Sequence, residues 1–336
     1  MSRLGPGWSE DFDVIWDSAL GFYRIWVVHL GRRYGLLEAL REGSAGSARQ
    51  LARKLSLSED AVKLWLEAGL SLGLLERSGA AYSLPRILAP MLADEDDVRF
   101  IGGLPSYLAL RSLDFEGFDG FFRHGKVPSR QRHAGEAFTA GTIWDHTAFL
   151  KLLLKKERGI SRLLDGKAMV LDVGSGSGGW SIRLGQRFPG SVFVGVDPDS
   201  GAIERGKAMA KALGLRNVRL MVGQVESMKH SRRFDIVYLG EVLSLVPRRR
   251  QALLACHRAL KKSGTIVVCE GLAVAGDEAR DRDNQLAVAM QMDLALQGGR
   301  FLSRAALDKL LTGAGFRRVR FYDLGGGLCF LVAQKA

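Results

Sequence analysis

The stretch Val170-Leu171-Asp172-Val173-Gly174-Ser175-Gly176-Ser177-Gly178 decides the fold of this chain. Residues 170–173 form an apolar, partly β-branched run around one acid, as in a buried strand. The three alternating glycines allow the backbone to bend sharply and to lie close to a ligand. A helical pattern follows over 179–188. A strand that ends in a glycine-rich turn and a helix is typical of nucleotide-binding folds.

The spacing of residues around this turn indicates which class of ligand it binds. A second strand, 191–197, ends in Asp197, where a carboxylate can accept hydrogen bonds from both hydroxyls of a ribose. A dinucleotide fingerprint has two residues between its second and third glycines and no acid in the strand, whereas this turn reads Asp-x-Gly-x-Gly-x-Gly. The Asp172 carboxylate therefore favours a cationic amino group over a phosphate. S-adenosylmethionine carries such a group, together with a sulfonium.

Length and composition fit a globular protein of two domains, with 336 residues, 47% hydrophobic and 25% charged. No apolar run approaches the roughly 18 residues of a membrane span, and residues 1–7 lack a hydrophobic signal region. We therefore expect a cytoplasmic protein without a membrane span. Cys256, Cys269 and Cys329 are scattered, so neither a disulfide framework nor a metal site is expected, and we interpret them as buried thiols.

The net charge of +12 is unevenly distributed. Residues 166–336 hold 26 Lys and Arg against 15 Asp and Glu, net +11, whereas residues 1–95 have a net charge of −1. The excess forms short clusters at 248–250, 261–262 and 317–320. Solvated faces explain such clusters more simply than attraction of an anionic substrate or a membrane surface, although the sequence leaves both interpretations open.

The N-terminal region has a helical pattern followed by a winged-helix pattern. Apolar residues recur at helical spacing over 13–41, and the aromatic residues there suit either a dimer interface or an intradomain core. Residues 47–84 read as helix, turn, helix and two short strands, the order of a winged helix-turn-helix. Its second helix, beginning after Ser58, carries three acids and one lysine over 58–67, which would repel phosphates. We therefore expect a scaffold and dimerisation role and no nucleic-acid partner.

The C-terminal half alternates strands and helices, which predicts a parallel sheet with helices on both faces. The predicted strands are 168–173, 191–197, 218–223, 234–239 and 265–270, and the predicted helices lie near 179–188, 200–213, 248–262 and 303–313. Residues 316–333 form a hairpin around three glycines, so the last strand is antiparallel. The predicted fold class is thus α/β, a Rossmann-like seven-stranded sheet with an antiparallel last strand, preceded by an all-α and winged-helix domain.

Three segments are predicted from these patterns. Residues 1–95 form the winged-helix dimerisation domain, residues 96–164 form a helical linker, and residues 165–336 form the S-adenosylmethionine-binding domain. The acidic run 94–97 marks the first boundary.

Several motifs together resemble the class I S-adenosylmethionine-dependent methyltransferases, and more specifically the two-domain small-molecule O-methyltransferases. These motifs are the turn from Asp172, the acid Asp197, the strand 234–240, the approach 260–265 to the fifth strand and the terminal hairpin. Further family patterns are matched by residues 138–147, 298–303 and 313–316. The resemblance covers nearly the whole chain. It implies a homodimer formed through the N-terminal helices, and an Asp-His pair within 138–147 near the cofactor and the substrate. It also implies that the helical linker 96–164 contributes to the substrate pocket.

The resemblance also assigns cofactor-binding residues. Gly174 and Gly176, with Ser175 between them, would face the cofactor, Asp172 would hold its amino group, and Asp197 its ribose. Gln224 stands where the family commonly has an acid beside the adenine, and an amide can still accept a hydrogen bond from the exocyclic amine. Leu239 and Gly240 would line the methionyl portion.

The catalytic pattern departs from the family. The histidine that accepts the substrate proton after the fourth strand is replaced by Ser244, and a serine is not a base near neutral pH. Three candidate catalytic residues remain, His146, Glu241 and Glu270. Each also has a structural alternative: an interface or core histidine for His146, and helix capping or pairing with arginines for the two glutamates.

The predicted function is S-adenosylmethionine-dependent methyl transfer to a small, aromatic or apolar molecule without the usual histidine base. Two alternatives remain open from sequence. The first is carbon or nitrogen methylation on the same fold, since in-line attack on a sulfonium methyl gains mostly from proximity and orientation. The second is a DNA-binding regulator in which a methyltransferase-like domain senses a ligand.

Overall fold

The computed structural model describes residues 10–41, 46–128, 131–228 and 231–336. Residues 1–7, for which no signal region is expected, lie outside this part of the chain. The chain divides into two compact units. Unit 1 comprises residues 1–112 and 136–144, and unit 2 comprises residues 113–135 and 145–336. The division into 1–95, 96–164 and 165–336 stays a prediction, because the middle segment contributes residues to both units.

Unit 1 is mainly helical. Its helices are α1 (Glu10–Arg33), α2 (Leu36–Arg41), α3 (Ala48–Leu55), α4 (Glu59–Ser71), α5 (Ala89–Ala93), α6 (Gly103–Ser112) and α8 (Ala134–Gly141), the last beginning in unit 2, and the strands β1 (Glu76–Ser78) and β2 (Ala81–Ser83) pair antiparallel. Ser47 forms a capping box with Gln50, and the Ser58 hydroxyl accepts from the Ala61 amide. The order α3, α4, β1, β2 matches the predicted elements, and the winged-helix designation stays a prediction.

The core of unit 1 contains aliphatic side chains from α1 to α5. Leu37 and Leu66 are almost completely buried, and the Trp65 indole donates to the Val27 carbonyl at 2.8 Å. This bond satisfies the polar atom of a buried tryptophan. None of the helices within the described ranges is long and apolar enough to cross a membrane.

Unit 2 contains the predicted sheet. Its strands are β3 (Met169–Val173), β4 (Val192–Asp197), β5 (Val218–Val222), β6 (Phe234–Gly240), β7 (Leu260–Gly271), β8 (Phe316–Gly325) and β9 (Leu328–Lys335), in the order β5-β4-β3-β6-β7-β9-β8. Strands β3 to β7 pair in parallel, and β9 pairs antiparallel with both β7 and β8. The predicted fold class is confirmed.

The other helices of unit 2 lie before and between these strands. They are α7 (Phe118–His124), α9 (Ile143–Ala148), α10 (Leu154–Lys156), α11 (Arg158–Asp165), α12 (Gly179–Arg187), α13 (Ser200–Ala212), α14 (Arg249–Ala259), α15 (Arg282–Leu296) and α16 (Arg304–Gly313). A π-helical turn, Phe149–Leu153, joins α9 to α10. Strand β7 begins at Leu260, five residues before the predicted start, since the register between β6 and β7 shifts between Phe234 and Ile236.

The two faces of the central strands have different neighbours. Leu171, Val237 and Val268 belong to a dry aliphatic core with α14 and α16. The alternate face presents Asp172 and Tyr238, which are paired across β3 and β6. Because the parallel strands all end at the same edge, residues that follow β3, β4, β6 and β7 are brought together there. We call this the carboxyl edge, and the opposite end of the sheet the amino edge.

Candidate active site

The glycine-rich turn lies at the carboxyl edge, between β3 and α12. Gly174, Gly176 and Gly178 all have positive φ, at 67°, 53° and 73°, a conformation that other residues rarely adopt. The Gly174 amide donates to the Val196 carbonyl at 2.8 Å, which ties the turn to β4. A Cβ at Gly174 would overlap Val242, whereas a Cβ at Gly176 would meet nothing within 4 Å. Gly176 therefore leaves open space above the turn.

Asp197 lies directly beside this turn. Its Oδ2 accepts from the Gly176 amide at 2.8 Å, and its Oδ1 accepts from the Asp199 amide at 2.8 Å. Burial raises the pKa of Asp197, while these two amides oppose the shift. Each carboxylate oxygen retains a second lone pair for another donor. The glycine-rich turn and Asp197, which the sequence pattern paired, are thus in direct contact.

Asp172 lies in β3, two residues before Gly174, and its side chain is buried. Its Oδ2 accepts from the Ser181 hydroxyl at 2.7 Å, and burial raises its pKa to about 7 despite this bond. The Ser175 hydroxyl oxygen is also buried, and it has no hydrogen-bond partner among the described residues. A buried carboxyl without a cation and an unpaired hydroxyl are both incomplete without a polar ligand.

An aromatic layer covers the same face of the sheet. Trp180 stacks on Tyr238 with ring centroids 4.0 Å apart and planes 3° from parallel, and Phe149 meets both rings edge-on. All three side chains are buried. Burial raises the pKa of the Tyr238 hydroxyl well above its ordinary value, so this phenol stays neutral. The layer provides a rigid apolar floor beside the carboxylates.

Helix α9 brings two further titratable groups to this face. Burial raises the pKa of Asp145 well above its ordinary value, and the nearby Glu241 and Glu270 carboxylates add to the shift. His146 behaves oppositely, since burial and the Arg183 charge lower its pKa to about 3. His146 is therefore an uncharged imidazole at neutral pH, whereas Asp145 holds its proton more strongly than an exposed aspartate does.

Glu241 follows β6 at the carboxyl edge and has an unusual backbone. Its φ is +55°, and its amide donates to the Cys269 carbonyl at 2.8 Å. A non-glycine residue held in this region stores strain, which is common at functional sites. The side chain is half-buried, yet the surrounding protein still raises its pKa to about 7 by desolvation. Glu241 is thus a carboxyl poised near neutrality at the edge where ligands bind α/β sheets.

Glu270 ends β7 and is almost completely buried. One carboxylate oxygen accepts from the Leu243 amide and the other from the Ser244 hydroxyl, the latter at 2.7 Å. Burial raises its pKa to about 7, while both bonds favour the ionised form. The Ser244 carbonyl in turn accepts from the Arg249 guanidinium and the Arg300 amide. Glu270 and Ser244 therefore fix the loop after β6.

The remaining predicted residues differ in exposure. Gln224 is exposed, and its carbonyl accepts from the Ser227 amide and hydroxyl at 3.2 Å each. The Leu239 side chain is fully buried in the aliphatic core, so only its main chain could face a ligand. Gly240 leaves room for the Tyr238 hydroxyl, which would lie 2.8 Å from a Cβ there.

Sequence reasoning missed the aromatic layer and the role of Asp145 in the electrostatics of the site. The Asp-His pair within 138–147 gave a signal for Asp145, but its neighbours depend on the packing of α9 against the sheet. Trp180 and Tyr238 gave no separate signal, because an aromatic residue in a strand or helix normally fills a core.

Comparison with known proteins agrees with this architecture. A family model described as a methyltransferase domain matches residues 164–303. Demethylspheroidene O-methyltransferase of Cereibacter sphaeroides is 25% identical over 96% of this chain and 85% of its own length. The ubiquinone/menaquinone biosynthesis C-methyltransferase of Citrifermentans bemidjiense is 26% identical over 49% of this chain and 77% of its own. Human N-acetylserotonin methyltransferase, solved with S-adenosylmethionine, superposes with a TM-score of 0.71 at 18% identity, covering 99% of this chain and 100% of that one.

The fold, the turn at the carboxyl edge and these similarities define a class I S-adenosylmethionine-dependent methyltransferase. The chain is similar to O-methyltransferases along nearly its whole length, and it has the two-domain fold of those proteins. Its cofactor is S-adenosylmethionine, as predicted.

Proposed function

We propose that the protein methylates a small, apolar or aromatic acceptor, with Glu241 receiving the acceptor's proton. The observation that carries the proposal is the direct bond between the Asp197 carboxylate and the Gly176 amide beside open space. Glu241, a half-buried carboxyl with a pKa of about 7, follows β6 at the same edge of the sheet. The name of one similar protein supports an oxygen acceptor, since demethylspheroidene O-methyltransferase is named for methylation at oxygen.

The cofactor residues follow from the donors and acceptors at the turn. Asp197 would accept from the ribose hydroxyls, Asp172 would pair with the amino group, and the unpaired Ser175 hydroxyl would donate to the methionyl carboxylate. Gly174, Gly176 and Gly240 would allow close approach of the main chain. The exposed Gln224 side chain would contact the adenine. When bound, S-adenosylmethionine supplies an electrophilic methyl group on a sulfonium.

Among the three predicted bases, Glu241 is the best suited. His146, with a pKa of about 3, binds a proton too weakly to serve at neutral pH. Both oxygens of Glu270 already accept hydrogen bonds from the loop after β6. Burial raises the pKa of Glu241 to about 7, so its carboxyl would exchange a proton with an acceptor hydroxyl near neutral pH. Asp145, when protonated, would donate to the hydroxyl oxygen and orient it.

Two other functions define the test. Methylation at carbon is favoured by the similarity to a C-methyltransferase over 49% of the chain. It would need no strong base, so it predicts little effect of removing the Glu241 carboxylate. A ligand-sensing regulator would bind S-adenosylmethionine without turnover.

Turnover of S-adenosylmethionine with simple phenol and hydroxyindole probes tests the proposal, with products identified by mass spectrometry. In Glu241→Gln we expect single-turnover methyl transfer to slow by at least about 100-fold at pH 8, with unchanged cofactor affinity. Glu278→Gln, an exposed glutamate after β7, is the matched control and should be unaffected. Equal rates in wild type and Glu241→Gln would remove Glu241 from the mechanism.

We also propose a homodimer formed through α1. Five large apolar side chains on this helix are at least half exposed: Val14, Ile15, Trp16, Phe22 and Tyr23. An exposed apolar surface of this kind is typical of protein interfaces. Light scattering should give twice the mass of one chain, and Ile15→Asp with Phe22→Asp should give a monomer. A monomeric wild type at micromolar concentration would refute the dimer.

A further inference from the structure

The amino edge of the sheet gathers cationic side chains from distant parts of the sequence. Six of them are exposed and form what we call the amino-edge patch: Arg232, Arg233, Arg258, Lys262, Arg317 and Arg318. The Arg232 amide donates to the Arg258 carbonyl at 2.9 Å, and the Arg233 amide donates to the Ala259 carbonyl at 2.8 Å. These bonds place the starts of β6 and β7 and the end of α14 side by side.

The antiparallel strands extend the patch. Because β9 is antiparallel to β7 and β8, the end of β9 lies beside the starts of both, with Gln334 opposite Thr265 and Arg317. Lys335 donates to the Leu260 carbonyl at 2.7 Å, and Arg318 donates to the Gln334 side chain at 3.4 Å. Four neighbouring strands at about 4.8 Å spacing therefore carry the patch along a ridge roughly 15 Å long.

The patch has little internal compensation. Asp235 lies at the start of β6, and its carboxylate is already held by Lys261 at 2.8 Å and by the Met169 amide at 2.9 Å. Burial lowers the pKa of Lys335, and the neighbouring Arg232 charge lowers it further. Helix C-termini favour cations, which accounts for Arg258 but not for the residues on strands. The excess of positive charge on the patch therefore favours binding of a polyanion.

The surroundings of the patch indicate which polyanion fits. No large apolar side chain is exposed in residues 231–271 or 303–336, so nothing there would insert into a lipid bilayer. No aromatic side chain is exposed in these residues either, which disfavours stacking on single-stranded bases. Five of the six cations are arginines, whose planar guanidinium groups bind phosphate oxygens in pairs. A ridge of arginines without apolar or stacking groups matches a duplex backbone.

We propose that the amino-edge patch binds the phosphate backbone of a nucleic-acid duplex without sequence preference. The site lies at the end of the strands opposite Glu241 and Glu270, so the bound duplex is a docking partner and not a methyl acceptor. This differs from the expectation of no nucleic-acid partner, which rested on the acidic helix α4 in the other unit. It is also independent of the proposed chemistry at the carboxyl edge.

Fluorescence anisotropy of the full chain with short mixed-sequence DNA and RNA duplexes tests the proposal. If four of the cations contact phosphates, the slope of log affinity against log salt is about −3.6, which is a roughly 150-fold loss between about 50 and 200 mM salt. The triple variant Arg258→Gln, Lys262→Gln, Arg317→Gln should bind at least about tenfold more weakly at low salt. Its affinity for S-adenosylmethionine and its melting temperature should be unchanged.

A charge-matched control separates the patch from net charge. Lys155→Gln, Arg280→Gln, Arg282→Gln removes three exposed cations on other elements and should retain duplex binding within about twofold. Equal losses in the two triple variants would overturn the proposal, as would salt-independent binding or no binding. Binding of phosphatidylserine vesicles but not of duplexes would also overturn it, since the partner would then be a membrane.

Discussion

The two edges of the unit 2 sheet use charge in opposite ways. At the carboxyl edge several acids are withdrawn from the surface: Asp145, Asp172 and Glu270 are buried, and Glu241 is half-buried. The amino edge instead presents the exposed arginines and the lysine of the amino-edge patch. Burial raises the pKa values of Asp172, Glu241 and Glu270 to about 7. The carboxyl edge therefore suits proton exchange and a cationic ligand, whereas the amino edge suits a polyanion.

The same comparison distinguishes chemistry from surface recognition. Buried groups with shifted pKa values exchange protons near neutral pH and are concentrated where chemistry occurs. Exposed charges act at longer range and are screened by salt. Matched changes at the two edges should therefore have different readouts.

The largest expected effect comes from Gly176, compared with Gly214. Both have positive φ and open space around the missing Cβ, and Gly214 follows α13 toward the amino edge. Valine at either position should cost roughly 1–2 kcal/mol of stability because of its backbone conformation. Only Gly176→Val should also weaken S-adenosylmethionine binding, by about 100-fold, because its side chain fills the ligand's space. Calorimetric titration measures both variants, and equal affinities would place the cofactor elsewhere.

An intermediate effect is expected on the pH dependence of cofactor binding. With a pKa of about 7, Asp172 is largely protonated at pH 5.5 and ionised at pH 8. Because a cationic amino group prefers the ionised carboxylate, affinity should rise roughly 30-fold over this range. Asp172→Asn should bind weakly at every pH, with a flat profile. A wild-type affinity independent of pH would mean that Asp172 does not meet a cation.

The smallest expected effect concerns the stability of the cofactor-free protein. Asp172, Glu241 and Glu270 have folded-state pKa values of about 7, above the unfolded values of about 4, so the folded state binds more protons between these limits. Their contribution is complete below pH 4 and is lost as the pH rises through 7. The unfolding free energy should fall by roughly 1 kcal/mol per group between pH 6 and 8. Urea titrations of wild type and Asp172→Asn at several pH values measure the part of this loss that is due to Asp172. If the unfolding free energies of the two proteins changed with pH by the same amount, the prediction for Asp172 would be contradicted.

Prediction from sequence succeeded where the pattern is local. The turn from Asp172 to Gly178 fixes its own geometry, and Asp197 lies one strand later, so both could be identified without coordinates. The sequence could not rank the candidate bases, because the hydrogen bonds of Glu270 to the loop after β6 depend on the tertiary structure. Leu239 was correctly placed at the end of the strand, but the direction of its side chain was not predicted. Side chains alternate between the two faces of a strand, and that of Leu239 lies in the core.

The amino-edge patch shows the limit most clearly. Its cations near 232, 258, 262 and 317 are separated along the chain, and sequence alone favoured solvated faces for the clusters at 261–262 and 317–320. Their convergence depends on the register of β9 with β7 and β8, which local patterns do not determine. Strand order, more than any motif, creates this surface.

Calorimetric titration of S-adenosylmethionine into wild type, Asp197→Asn and Asp235→Asn tests the central claim most directly. Each aspartate accepts a backbone amide from another segment, Asp197 at the carboxyl edge and Asp235 at the amino edge. We predict binding to wild type and Asp235→Asn with the same affinity, and at least about tenfold weaker binding to Asp197→Asn. Undiminished binding to Asp197→Asn, or none to wild type at millimolar ligand, would contradict the claim that the glycine-rich turn and Asp197 together hold the cofactor.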